Sequence, residues 1–325
     1  MKNIIFVLWI TFGLFANLFS ADVQRIEEKR FTVRPGGHVA VIGDDGDIII
    51  KTWDNDQVLI KTKITVYDKS RKRAAKRLEN VEIDYNHRGN RLTVREYQDD
   101  RNKNFDFFDL FDPDKWQQAR YDIIVDYDLK VPREVDLRLE TDEGNVFVTG
   151  VDGDLFVSTD EGTVNLENIA SRDLNIETDE GRIKIEHAKC ADGQVTIDTD
   201  EGSVRLLDCK TADLKIDTDE GEVVLQNNLS EKTRISTDEG DVDVDMEIEP
   251  HGSYRFTCDE GDVFVTLPGN PDVYLDLKSE DGNIHGDFAV DSDGDDGERL
   301  RVKLGHGNAK LKIFTDEGDI TVEER

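Results

Sequence analysis

Apolar and polar residues alternate strictly on both sides of a recurring glycine through the second half of the chain. Two and four residues after Gly144, Gly162, Gly181, Gly202 and Gly221 come Val146 and Val148, Val164 and Leu166, Ile183 and Ile185, Val204 and Leu206, Val223 and Leu225. Seven and five residues before the same glycines come Leu137 and Leu139, Leu155 and Val157, Leu174 and Ile176, Val195 and Ile197, Leu214 and Ile216. A period of two predicts strands that bury one face. The positions between carry Glu140, Glu177, Lys184, Asp198 and Arg205, as a solvated wall requires.

The glycines close a repeated corner, Thr-Asp-Glu-Gly, which begins at Thr141, Thr159, Thr178, Thr199, Thr218, Thr237 and Thr315, with variants at Cys258-Asp-Glu-Gly261, Ser279-Glu-Asp-Gly282 and Gly43-Asp-Asp-Gly46. From Gly144 to Gly282 the steps are 18, 19, 21, 19, 19, 21 and 21 residues. Self-similarity at this period marks a solenoid, and each step is too short for a strand, a helix and two loops. The expectation is an all-β parallel β-helix, or β-solenoid, with about 18–21 residues and two strands per coil. A second polar corner is expected near Asn168 to Arg172 and Lys189 to Gly193. Threonine shares the inward parity, where its hydroxyl can bond the corner backbone, and glycine supplies positive φ.

Residues 21–130 read as an N-terminal cap of the same architecture at lower regularity, because Val39, Val41, Gly46, Ile48 and Ile50 repeat the offsets. They include strands at Val58 to Tyr67, Val81 to Tyr85 and Arg91 to Glu96. Between the first two lies a short basic helix with Lys69, Arg71, Lys72, Arg73, Lys76 and Arg77, read either as a solvated face or internal counterion, or as a partner site. An aromatic and acidic insertion spans 99–118. Residues 131–325 are then the regular solenoid, and Leu311 to Val322 is expected to close the stack.

Composition changes this picture at two points. Lys2, the apolar run from Ile4 to Ala16 and small or polar residues at Ser20 and Ala21 read as a signal peptide over 1–20, with an uncleaved anchor as the alternative. The mature chain is then expected to be exported (periplasmic, cell-surface or secreted) with no transmembrane span. The 73 Asp and Glu residues against 41 Lys and Arg give a net charge of -32, which disfavours nucleic acid and anionic lipid as partners. A hydrophobic fraction of 37% beside 35% charged residues would suit a disordered chain were it not for the periodicity.

An opening Phe31-Thr-Val-Arg-Pro-Gly-Gly37, Trp53-Asp54 after the first turn and strand, a Val131-Pro132 step into the repeats, recurrent Thr-x-x-Gly-x-Val/Ile units and a terminal Gly305-to-Ile320 segment resemble a bacterial family of candidate adhesins with β-strand repeats, formally a domain of unknown function. The resemblance covers nearly all of the mature chain. It implies a parallel β-helix and an exported protein, and it supplies no catalytic residue. This sequence departs from it in placing Asp-Glu at nearly every corner.

That Asp-Glu pair is the first candidate site. Asp160 and Glu161, Asp179 and Glu180, Asp200 and Glu201, Asp219 and Glu220, and Asp238 and Glu239 are expected one coil apart, either fanning into water or forming an edge that binds calcium through many oxygens. Asp291, Asp293 and Asp295 form a second calcium candidate, without the full spacing of an EF-hand loop. Phe105, Phe107, Phe108, Phe111 and Trp116 of the insertion either cover an open edge or bind a partner. Cys190 and Cys209 each precede a corner glycine by twelve residues, which would stack them within disulfide reach, bonded or free. Carboxylates repeated at one offset do not make the single, asymmetric site that acid–base catalysis needs. The expected function is a non-enzymatic binding or structural module with a cell-envelope, glycan or protein ligand. The alternatives are a calcium-stabilised acidic scaffold and a carbohydrate-active β-helix enzyme.

Overall fold

The computed structural model describes residues 21–97, 122–286 and 299–325, most of them in strands. The signal-peptide reading over 1–20, the aromatic insertion and the Asp291 loop lie outside the described residues. The chain divides into two compact units, Met1–Gly144 and Asn145–Arg325.

The first unit holds β1 (Ala21–Phe31), β2 (Gly37–Ile42), β3 (Ile48–Trp53), β4 (Val58–Asp68), α1 (Arg71–Leu78), β5 (Glu82–Arg88), β6 (Arg91–Tyr97), β7 (Asp122–Pro132) and β8 (Val135–Glu143). The strand pair that sequence offsets identified, β2 and β3, forms one coil around the Gly43–Gly46 corner. It is an inner coil: β2 lies between β6 and β8, parallel to both, and β3 is parallel to β7. Beyond β7 the direction reverses, because β4 is antiparallel to β7 and β1 antiparallel to β4. On β1 the half-buried side chains include Arg25, Glu27 and Lys29. Arg25 and Glu27 pair at 2.8 Å, and Lys29 Nζ sits 3.7 Å from the Tyr85 ring centroid. Inward charges on an outer strand discourage the docking of another strand.

The second unit runs through β9 (Val146–Thr149), β10 (Leu155–Glu167), β11 (Asp173–Glu186), β12 (Lys189–Leu207), β13 (Lys210–Glu220), β14 (Val223–Glu239), β15 (Val242–Glu260), β16 (Val263–Leu267), β17 (Val273–Asp281), β18 (Ile284–Gly286), β19 (Arg299–Leu304), β20 (Ala309–Glu317) and β21 (Ile320–Glu324). Parallel registers put like on like: Leu155 on Leu174 on Val195 on Leu214, and Val164 on Ile183 on Val204 on Val223. All of these are buried. The predicted β-solenoid is therefore the observed fold.

Each coil has a third short wall as well as the two that alternation revealed. Ala170 bridges Lys189, Lys189 pairs with Lys210, and Lys210 with Leu229, all parallel. Its inward positions are Val151, Ile169, Ala188, Cys209, Asn228 and Met246, all buried. The chain enters this wall through residues with positive φ at Asn168 (56°), His187 (57°), Asp208 (53°) and Asn227 (53°). Three of these four are Asn or Asp, whose short polar side chains tolerate this conformation. The wall is two or three residues long, too short for a period of two to show in sequence.

Stacking does not follow chain order at the C-terminal side. The coil of β20 and β21 does not close the stack, as expected from sequence, but lies between two others. Phe256 pairs with Ile313, Ile313 with Leu277, and Val263 with Ile320, which in turn pairs with Ile284. The outer coil is that of β17 and β18, whose free side is covered by antiparallel β19. Burial explains the choice. Ile320 and Val322 are fully buried, whereas β18 offers only half-buried Ile284 before exposed His285 and Gly286. The richer apolar strand takes the place with neighbours on both sides. The Gly305–Asn308 turn is pinned by Asp272, which accepts from Asn308 Nδ2 at 2.6 Å while its carbonyl accepts from Ala309 N at 3.2 Å.

Candidate functional site

The corner ladder of the second unit forms as its parity requires. Thr159, Thr178, Thr199, Thr218, Thr237, Cys258, Thr315 and Ser279 occupy one inward column, in that spatial order, all at most 5% exposed. The hydroxyls of Thr159, Thr218, Thr237, Thr315 and Ser279 bond the corner backbone, whereas those of Thr178 and Thr199 are buried without a partner among the described residues. Thr218 Oγ1 donates to Glu220 O at 3.3 Å, and Thr237 Oγ1 to Glu239 O at 3.2 Å. Cys258 Sγ reaches Gly240 O at 3.3 Å, and Ser279 Oγ donates to Gly318 O at 2.9 Å, so the two substitutes bond to the coil beside them.

The carboxylates of the same corners point the other way. Glu161, Glu180, Glu201, Glu220 and Glu239 stand in register on successive strands, and they and their partners Asp160, Asp179, Asp200, Asp219 and Asp238 are exposed. Among the described residues, no group of three or more His, Cys, Asp or Glu side chains converges to hold a metal ion. A chemically distinct carboxylate stands on the wall before the corner. Asp198, stacked on Asp217, has its pKa raised by burial first and by Asp217 next. Asp243, on the wall after the corner, is raised by burial and then by Glu222.

Cys190 and Cys209 are both buried and both free. Counting back from the corner glycine misplaced them, because the two additional residues of the 21-residue coil are taken up between Cys190 and Gln194. Cys190 consequently stands opposite Thr211, not Cys209. A two-residue offset at ~3.3 Å rise and ~4.8 Å strand spacing puts the two Cα atoms ~8 Å apart, beyond disulfide reach. Burial pushes the Cys190, Cys209 and Cys258 thiols up to about 11. They behave as small core side chains.

In the first unit the basic run forms α1, with a divided role. Arg73 and Arg77 lie 2.8 and 3.3 Å from the carboxylate of Asp68, which is 7% exposed. The Arg73 hydrogen bond, more than any other influence, holds this carboxyl below the usual range, and the Ser70 N–H adds to it. Lys69, Arg71, Lys72 and Lys76 are exposed. Internal counterion and solvated face thus both occur within one helix.

A family model described as Toastrack DUF4097 matches residues 39–323 of the chain. A comparison with curated proteins finds no match. Solved structures similar to this chain include a candidate adhesin from Bacteroides fragilis NCTC 9343, 10% identical, covering 93% of this chain and 97% of that one with a TM-score of 0.33. A candidate adhesin from Parabacteroides distasonis ATCC 8503 is 11% identical over 93% and 97%, with a TM-score of 0.34. A candidate lipid-binding protein from the same organism is 9% identical over 91% and 96%, with a TM-score of 0.32.

Proposed function

Because the chain belongs to the Toastrack DUF4097 family, we propose that it is an exported, non-enzymatic binding or structural module that works at the cell envelope or surface. One observation supports this reading above others. The outward corner carboxylates Glu161, Glu180, Glu201, Glu220 and Glu239 repeat in register from coil to coil of the second unit, so the protein presents an extended row of like groups, not one convergent constellation. Rows suit a polymer or a surface, which offers many copies of one group. Reaction chemistry needs carboxylates in unlike environments at one place.

The test uses the mature protein, with binding measured to isolated envelope glycans, matrix proteins and whole cells. Saturable binding to one of these supports the reading. A second protein lacking 99–118 asks whether Phe105, Phe107, Phe108, Phe111 and Trp116 supply the contact. Absence of binding to every target, with no effect of the deletion, would sink it.

A further inference from the structure

In a chain with net charge -32, the second unit carries an uninterrupted column of cations on the wall that precedes the corner. Lys215 pairs in register with Arg234, Arg234 with Arg255, and Arg255 with Lys312. All four occupy outward positions, one per strand, at ~4.8 Å spacing. Lys310 and Lys303 extend the row sideways, both flanking Tyr274. Lys215 is paired with Asp217 on its own strand. Arg234, Arg255, Lys312, Lys310 and Lys303 are exposed and make no ion pair or side-chain hydrogen bond among the described residues.

Chain order stacks Lys215, Arg234 and Arg255, and the out-of-order β20 continues the column. Stacked in sequence order, the neighbour of Arg255 would be Asp276. Placement of β20 between β15 and β17 puts Lys312 there and moves Asp276 outward, where Arg299 and Arg301 hold it at 2.8 and 3.3 Å. Like charges stacked at strand spacing oppose the pairing of their strands. A stripe in which every cation except Lys215 is free of ion pairs among the described residues, on a protein with carboxylates to spare, leaves that repulsion for an external anion to relieve.

We infer that this stripe is the docking surface for a single linear polyanion, and specifically for a carboxylate-bearing polysaccharide of the uronate type. The inference rests on the reading of the protein as an envelope-binding module and names the ligand class. Charge selects an anion. Width excludes the broad ones, because Glu239 and Glu260 lie only five residues beyond Arg234 and Arg255, or ~17 Å along the strand, and would repel a bilayer or a duplex laid on the wall. An open flat wall selects a thread over a small molecule, since single contacts on it are weak and only repetition accumulates affinity. Arginine's planar fork pairs with carboxylate in two hydrogen bonds.

The experiment measures binding of the mature protein to polygalacturonate across a salt series. It compares the parent with R234A/R255A/K312A and with a control, R71A/K72A/K76A on α1. All substituted side chains are exposed, and unchanged melting confirms folding. Expected is binding at low salt that weakens steeply with ionic strength. The stripe variant should lose roughly ten-fold or more in affinity and show a salt slope shallower by about three, one per removed contact, while the α1 variant keeps parental binding. Equal binding by parent and stripe variant overturns the stripe and leaves the module reading intact. No binding by the parent to polygalacturonate, or preference for fully methyl-esterified polymer, inorganic polyphosphate or phosphatidylglycerol vesicles, overturns the ligand class. So does self-association that the stripe variant abolishes, which would identify a second copy as the occupant.

Discussion

A corner glycine such as Gly221 has two separate reasons to be glycine. Its φ of 140° is closed to side chains, and a Cβ would stand 2.0 Å from Gly202 O on the neighbouring strand. We expect Gly221→Ala to destabilise the second unit by about 2–3 kcal/mol in denaturant titration. Cys258→Thr, which restores the usual corner residue and its hydroxyl, should match the parent or exceed it. Both the threonine and the glycine were legible from parity and spacing. The position of the cysteines was not, since sequence records that a coil has 21 residues but not where the surplus bulges out. Gly193, within that bulge, lies so close that a Cβ would be 2.1 Å from Arg172 O. With burial and raised pKa values, Cys190, Cys209 and Cys258 should resist a thiol reagent at pH 8 in the native protein. All three should react in denaturant, with no loss of the first two after mild oxidation.

Charged groups act element by element, and their signs oppose one another. Asp45, Asp198 and Asp243 are held above the ordinary carboxylate range, by burial first and by Glu143, Asp217 and Glu222 respectively. The folded chain keeps protons there that the unfolded chain has released, so stability rises as pH falls from neutral through those raised values toward the ordinary ~3.9. Asp68 is shifted downward, so its contribution is complete above the ordinary value and is lost as pH falls through the folded one. Melting temperature should therefore climb as pH falls from neutral toward the ordinary carboxylate value and drop once pH falls below it. A monotonic fall from pH 7 would contradict this assignment. Alternation and net charge predicted outward carboxylates at every corner. They gave no sign that Asp198 and Asp243, mid-wall, would be the perturbed ones, because desolvation depends on the strands stacked above and below. The basic helix was visible as a charge run, whereas the role of Asp68 under it was not, because the carboxylate lies at the end of the preceding strand.

At the largest scale, the two long walls of the second unit were legible because each repeats a period of two at a fixed offset. Two features were not: the third wall, too short for periodicity, and the stacking order, which chain order does not determine. The order has a measurable outcome. Amides of Leu311 to Thr315 lie between β15 and β17 and should exchange with deuterium more slowly than those of Arg299 to Leu304 on β19, although they are nearer the C-terminus. Removing residues 309–325 should release β17 to β19 from β15 and render them sensitive to protease, whereas a coil at the edge would be lost with little consequence. The interior coils obey a different rule. From Gly162 to Gly181, and again from Gly202 to Gly221 to Gly240, the chain advances by the same nineteen residues, each coil meeting its neighbours through matched registers. An in-frame gain or loss of nineteen codons in this stretch returns every inward residue to its column without disturbing the arrangements that finish either unit. The reach of the protein is thus open to adjustment by unequal recombination, one layer at a time, while its termini stay fixed.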